Sequence, residues 1–124
     1  MKKILLALMI PLVLAGCKPG EGKAISLAKS EVAANLKDPA SAQFRDVKVS
    51  KMTDAEDGRV VAVVCGEING KNGFGAYAGF HPFFVELNMK SKGIFSKGVD
   101  YTLGEHFLST SDTPTPQAYT ERCQ

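Results

Sequence analysis

The sequence predicts an α+β domain, an N-terminal helix packed on a small antiparallel sheet of three to five strands, and two observations carry that prediction. Between Ala24 and Lys37, the apolar Ile25, Ala28, Val32 and Leu36 recur at three- and four-residue steps. Lys29, Glu31 and Lys37 fall elsewhere, as on an amphipathic helix. Val60 to Cys65 is a run of β-branched and small residues without polar interruption, which fits a central strand buried on both faces. The chain has 124 residues, 44% of them apolar and 23% charged, close to globular averages, so wholesale disorder is excluded.

The elements follow in order. Alanine content favours the helix at 24–37, and Asp38-Pro39 stops it, because proline disfavours helical geometry in the residue before it. Pro39 to Ala42 then forms a turn that delivers Phe44 to the core. From Arg45 to Met52, Val47 and Val49 alternate with Lys48 and Ser50, the pattern of a strand with one wet face. Thr53 to Gly58 is a polar, acidic loop. Gly66 to Phe80 holds five glycines in fifteen residues, and Asn69-Gly70 and Asn72-Gly73 are dipeptides suited to the positive φ of tight hairpins. Arg59–Ile68 and Phe74–Leu87 therefore read as antiparallel partners, with His81-Pro82 interrupting the second because proline cannot donate to a ladder. Asn88 to Gly98, around Ile94-Phe95, reads as a loop, with or without a short strand. Val99 to Leu108 fits a strand or a helical turn equally. Ser109 to Pro116 reads as an exposed connector, and Gln117 to Arg122 as a short helix presenting Cys123.

The first residues belong to a different class. Met1-Lys2-Lys3 is a positive start, Ile4 to Leu14 is an apolar run of about eleven residues, and Ala15 and Gly16 are small, which together make a signal peptide at 1–16. A spanning helix needs roughly 20 apolar residues, so this run is too short for a permanent anchor. Lys18 to Gly22 reads as a flexible tether, 17–22 with the preceding cysteine, and 23–124 as one domain. Fifteen Lys and Arg stand against 13 Asp and Glu. Loss of Lys2 and Lys3 leaves 13 of each, which removes any electrostatic case for nucleic-acid binding.

Leu14-Ala15-Gly16-Cys17 resembles the lipobox of bacterial lipoproteins. The resemblance implies cleavage before Cys17, a diacylglycerol on its sulfur, and an anchor in the membrane. With Lys18 rather than aspartate next, it implies the outer membrane, the domain facing the periplasm or the cell surface. Several acyl chains at about 0.8 kcal/mol per buried CH2 give a stable attachment. With Cys17 acylated, Cys65 and Cys123 remain, and an oxidising compartment would join them. The alternative is two separate thiols, Cys65 buried and Cys123 frayed. Leu36 to Arg45, Val64 to Asn72 and Gly75 to Phe80 also resemble a pattern in small exported lipoproteins of proteobacteria and their mobile elements, which implies kinship of fold only.

No motif marks a catalytic centre, and the expectation is a protein without enzymatic activity, cofactor or metal. The glycine-rich stretch lacks the G-x-x-x-x-G-K-[ST] order of a phosphate loop. Glu105-His106 are neighbours that point apart on a strand, and Asp54, Glu56 and Asp57 miss the calcium-loop order. Lys90, Lys92 and Lys97 are balanced by Glu86 and Asp100, too sparse a cluster for lipid recognition. Phe74, Tyr77 and Phe80 with Asn69, Lys71 and Asn72 would give a partly aromatic patch of the kind that binds proteins. The leading expectation is a non-catalytic module that binds or inhibits another envelope protein. The alternatives are a structural accessory of an envelope assembly, and a small hydrolase or ligand-carrying domain.

Overall fold

The computed structural model of the protein describes residues 18–93, 98–109 and 114–124. The expected signal at 1–16, the expected lipidation site Cys17, and residues 94–97 and 110–113 of the expected loop and connector lie outside them. Four strands form one antiparallel sheet in sequence order: β1 (Gln43–Asp54), β2 (Val60–Asn69), β3 (His81–Ser91) and β4 (Val99–Leu108). Helix α1 (Glu21–Ala34) lies on one face, and the short α2 (Gln117–Cys123) covers part of the other.

Alternation along the two central strands builds both cores. Val60, Ala62, Val64 and Ile68 of β2, with Phe83, Val85, Leu87 and Met89 of β3, pack against Ala24, Ala28 and Val32 of α1. The opposite faces place Val63, Cys65 and Phe84 against Cys123, with Phe107, Ala118 and Tyr119 around them. The run Val60–Cys65 is thus wetted on neither side except at half-buried Val61. Alanine at two of the three buried positions of α1 lets the helix backbone approach the sheet closely.

The helix starts three residues before Ala24 and ends three before Lys37. Gly20 is its extended cap residue, Ala24 N–H donates to Gly20 O at 3.1 Å, and Glu21 sits at the positive end of the helix dipole. At the other end Asn35 N–H and Leu36 N–H donate to Val32 O and Ala33 O, a tightened last turn before Asp38-Pro39. Glu21 and Gly22 are therefore helical rather than tether, Pro19 is buried, and Lys18 pairs with Asp54 at 3.4 Å.

The two outer strands are bulged. Register shifts between Arg45 and Lys48, with Asp46 at φ 54°, and between Val49 and Lys51 let Phe44, Val47, Val49 and Met52 all reach the α1 side. In β4 an extra residue opposite the Val85–Leu87 step puts Val99, Tyr101 and Leu108 on the α1 side and Phe107 on the other. That phase change is why periodicity alone did not distinguish strand from helical turn at 99–108.

The expected tight hairpin is corrected. β2 pairs with β3 from Val60↔Met89 to Ile68↔His81, so Phe74 to Phe80 belong to an eleven-residue loop and not to the strand. His81-Pro82 opens β3 instead of interrupting it, since the missing N–H of Pro82 is tolerated at a strand end. The positive φ values fall at Gly75 (79°) and Gly79 (102°), not at Gly70 or Gly73. Gly70 is required for space instead: a Cβ there would lie 2.7 Å from Leu36 Cδ1.

Cys65 and Cys123 form a disulfide, with Cα atoms 5.9 Å apart, so neither is a separate thiol. The bridge holds α2 on the sheet together with Phe84, whose ring lies 6.1 Å from Phe107 and 6.5 Å from Tyr119. Arg122 adds ion pairs to Glu86 and, at 2.7 Å, to Glu105. The hydrogen bond to Glu86, reinforced by nearby carboxylates, holds the guanidinium above its ordinary pKa.

Candidate functional site

The loop of residues 70–80 crosses the end of the sheet where α1 finishes, and all six residues expected to contact a partner lie in it or at its base. They do not form one flat patch. Asn69 is buried; its Oδ1 accepts from Gly79 N–H at 3.0 Å, and its Nδ2 donates to Gln43 Oε1 at 3.4 Å. Asn72 Oδ1 accepts from Phe74 N–H at 2.9 Å and Ala76 N–H at 3.2 Å, while its own N–H donates to Ala76 O at 2.7 Å. Both asparagines therefore shape the loop from inside, the role short amide side chains take where no ladder partner is available.

A second set of contacts sews the loop to the 3-10 turn Pro39–Ser41. Lys71 N–H donates to Ser41 Oγ at 2.9 Å, and the Tyr77 hydroxyl donates to Ser41 O at 3.0 Å. Lys71 Nζ stands 5.7 Å from the centre of the Tyr77 ring, and Lys71 and Tyr77 are joined as an isolated antiparallel bridge. Phe80 is half-buried beneath the guanidinium of Arg45, 4.1 Å from the ring centre. Arg45 is in turn fixed by Glu67, with Nε donating to Oε2 at 2.6 Å. A stacked cation of this kind contributes roughly 0.5–1 kcal/mol at an exposed site.

Phe74 is what remains. Its side chain is 98% exposed at the loop tip, against 43% for Tyr77. Sequence reasoning grouped three rings that the fold separates into one free, one tied by its hydroxyl, and one capped by Arg45. It missed Ser41 and Arg45 as supports. Both reach the loop through the fold, Ser41 from the 3-10 turn and Arg45 from its place opposite Glu67 in the β1–β2 register, which local sequence does not display.

No protein-family model, curated protein or solved structure matches this chain. Its own chemistry says what the loop can do: a held backbone frame presents one large apolar side chain among Lys71 and exposed peptide groups.

Elsewhere the polar groups serve the fold. Among the described residues no three of His, Cys, Asp and Glu are grouped to hold a metal ion. Glu105 turns to Arg122 while exposed His106 lies 3.1 Å, through Nδ1, from Gly104 O. Asp54, Asp57 and Asp100 pair with Lys18, Arg59 and Lys92. An open groove of about 620 Å³ beside α2 is floored by Val61 and Val63 and rimmed by Lys51, Glu86 and Arg122. Tyr119 has its phenol pKa raised by burial and then by the Glu67 charge. Among the described residues no helix is long and apolar enough to cross a membrane.

Proposed function

We propose that the chain is a small bacterial lipoprotein, attached to the outer membrane through acylated Cys17, whose domain binds or inhibits another envelope protein without catalysis. The observation that carries the binding half is Phe74, almost fully solvated on a loop whose backbone is already ordered by Asn69, Asn72 and Ser41. Leaving a phenylalanine in water forgoes roughly 1.5–3 kcal/mol of burial. A pre-ordered frame then spares most of the entropy that closing on a partner would cost. Aromatic side chains are enriched at protein–protein interfaces relative to the rest of the surface. The lipobox Leu14-Ala15-Gly16-Cys17 supports the attachment.

Two measurements test the proposal. Mass spectrometry of the membrane fraction under non-reducing conditions reports the Cys17 adduct, and an unprocessed soluble chain would refute the anchor. Crosslinking in intact membranes, followed by pull-down of wild type and Phe74→Ala, should recover one stoichiometric partner with the first and lose it with the second. A truncation of about 2 kcal/mol weakens binding roughly 30-fold. Equal recovery by both proteins would remove the loop from the interface, and recovery of a many-component machine would favour a structural accessory.

A further inference from the structure

Lys18 and Pro19 are docked on the domain. Pro19 is buried, Lys18 pairs with Asp54 at 3.4 Å, and the helix begins two residues after Pro19. In the sequence Lys18 directly follows Cys17, so the proposed anchor joins the chain one residue before a residue already on the fold. Even with Lys18 and Pro19 lifted off, residues 18–20 reach only about 10 Å before α1 starts.

The strand register fixes which end of the molecule this is. Asp54 lies opposite Val60, Val60 opposite Met89, and Met89 opposite Tyr101, so Lys18 joins the end that carries the β1–β2 and β3–β4 connections. Asn69 and His81, which bracket the 70–80 loop, lie at the other end of β2 and β3. Ten residues of β2 at about 3.3 Å each separate the two ends by about 30 Å.

We infer that the junction at Lys18-Pro19 sets the domain upright on the lipid surface, with the β1–β2 turn against the headgroups and the 70–80 loop facing away. This rests on the lipid-anchor proposal for Cys17. With the attachment point held at this end by the Lys18–Asp54 pair and buried Pro19, the loop meets the bilayer only if the whole domain tips onto its side. Charge does not set the orientation. Among the described residues at the proximal end, Lys18, Arg59, Lys90 and Lys92 stand beside Asp54, Glu56, Asp57 and Asp100, and three ion pairs join them. The partner of the loop is therefore a protein surface standing clear of the membrane by about the length of the sheet, not one at headgroup level.

The chain contains no tryptophan, so a single introduced indole is a unique reporter. Two acylated variants, Glu56→Trp in the proximal turn and Phe74→Trp at the loop tip, are placed in phosphatidylethanolamine–phosphatidylglycerol vesicles carrying a headgroup nitroxide. The expected result is strong loss of fluorescence at position 56 and none at 74, unchanged in high salt. Inserting ten Gly/Ser residues between Cys17 and Lys18, with an r.m.s. reach of roughly 16–19 Å, should erase the difference. Equal quenching at both positions in an acylated protein would overturn the orientation while leaving the anchor intact. A difference that disappears in salt would overturn the junction as its cause. A mature chain whose mass shows no acyl group on Cys17 would overturn both.

Discussion

Reducing the Cys65–Cys123 bridge is the perturbation whose size follows most directly from the fold. The bonded residues are 58 apart in sequence, and in the chain-entropy account a closed loop of that length restricts the unfolded state by about 4 kcal/mol at 25 °C. Small domains are stable by only about 5–15 kcal/mol, so the loss is a large fraction of the whole. Seven residues are too few for α2 to remain helical alone, and the bridge is its one covalent hold on the sheet. Reduction should release α2 and uncover Phe84 and Tyr119 before the sheet melts. The assay is urea unfolding with and without a phosphine reductant, followed by far-ultraviolet circular dichroism and by tyrosine emission. With a slope near 2 kcal/mol/M, the midpoint should fall by about 2 M. Using reductant rather than substitution keeps both sulfur atoms in the core, so no cavity contributes. A midpoint that moves by less than about 0.3 M would refute the account, since the unfolded chain would then be no freer without the bridge.

Four further expectations test separate parts of the structure. Gly66→Ala places a Cβ 2.8 Å from Val47 Cγ2, 3.0 Å from Val47 Cα and 3.1 Å from Phe83 Cε1, and should cost about 1–3 kcal/mol. Gly22→Ala in α1 meets nothing within 4 Å and should stabilise by up to about 1 kcal/mol, both read as shifts in the urea midpoint. Asn72→Ala should accelerate amide hydrogen exchange at Phe74 and Ala76 while changing global stability by less than about 1 kcal/mol, because it removes two local acceptor contacts. Tyr101→Phe removes the hydroxyl that donates to Glu31, the contact that first raises the Tyr101 pKa above 10.0, ahead of burial and the Glu31 charge. A raised folded-state pKa gives stability that is present below pH 10 and lost as pH climbs through the folded value. The variant should therefore be weaker by about 1 kcal/mol at pH 7 and lose less than wild type above pH 10 in parallel denaturation curves.

The parts of the fold readable beforehand were those set by local pattern. The Val60–Cys65 run predicts the central strand because burial on both faces admits no polar residue, and Asp38-Pro39 keeps α1 from running on, although the helix already ends at Ala34. What escaped was set by distant contacts. The Asn-Gly pairs at 69–70 and 72–73 carry hairpin chemistry, yet Asn69 and Asn72 spend their amides on Gly79, Phe74 and Ala76, opening a wide loop. Glu21 and Gly22 look like linker in isolation, and only burial of Pro19 and the pairing of Lys18 with Asp54 draw that segment onto the domain. Within the candidate site, the position of the loop was legible, while the division of labour among its rings depended on Ser41 and Arg45.

The bulges in β1 and β4 have an effect beyond the fold of a single copy. An outermost strand that runs flat and regular offers its spare amides and carbonyls to the same strand of a neighbour, and crowding makes that trade frequent. Here both borders are kinked, β1 twice and β4 once, and β1 carries Lys48 and Lys51 along its length. Copies packed shoulder to shoulder would meet bent, lysine-bearing borders, which pair poorly into a shared ribbon.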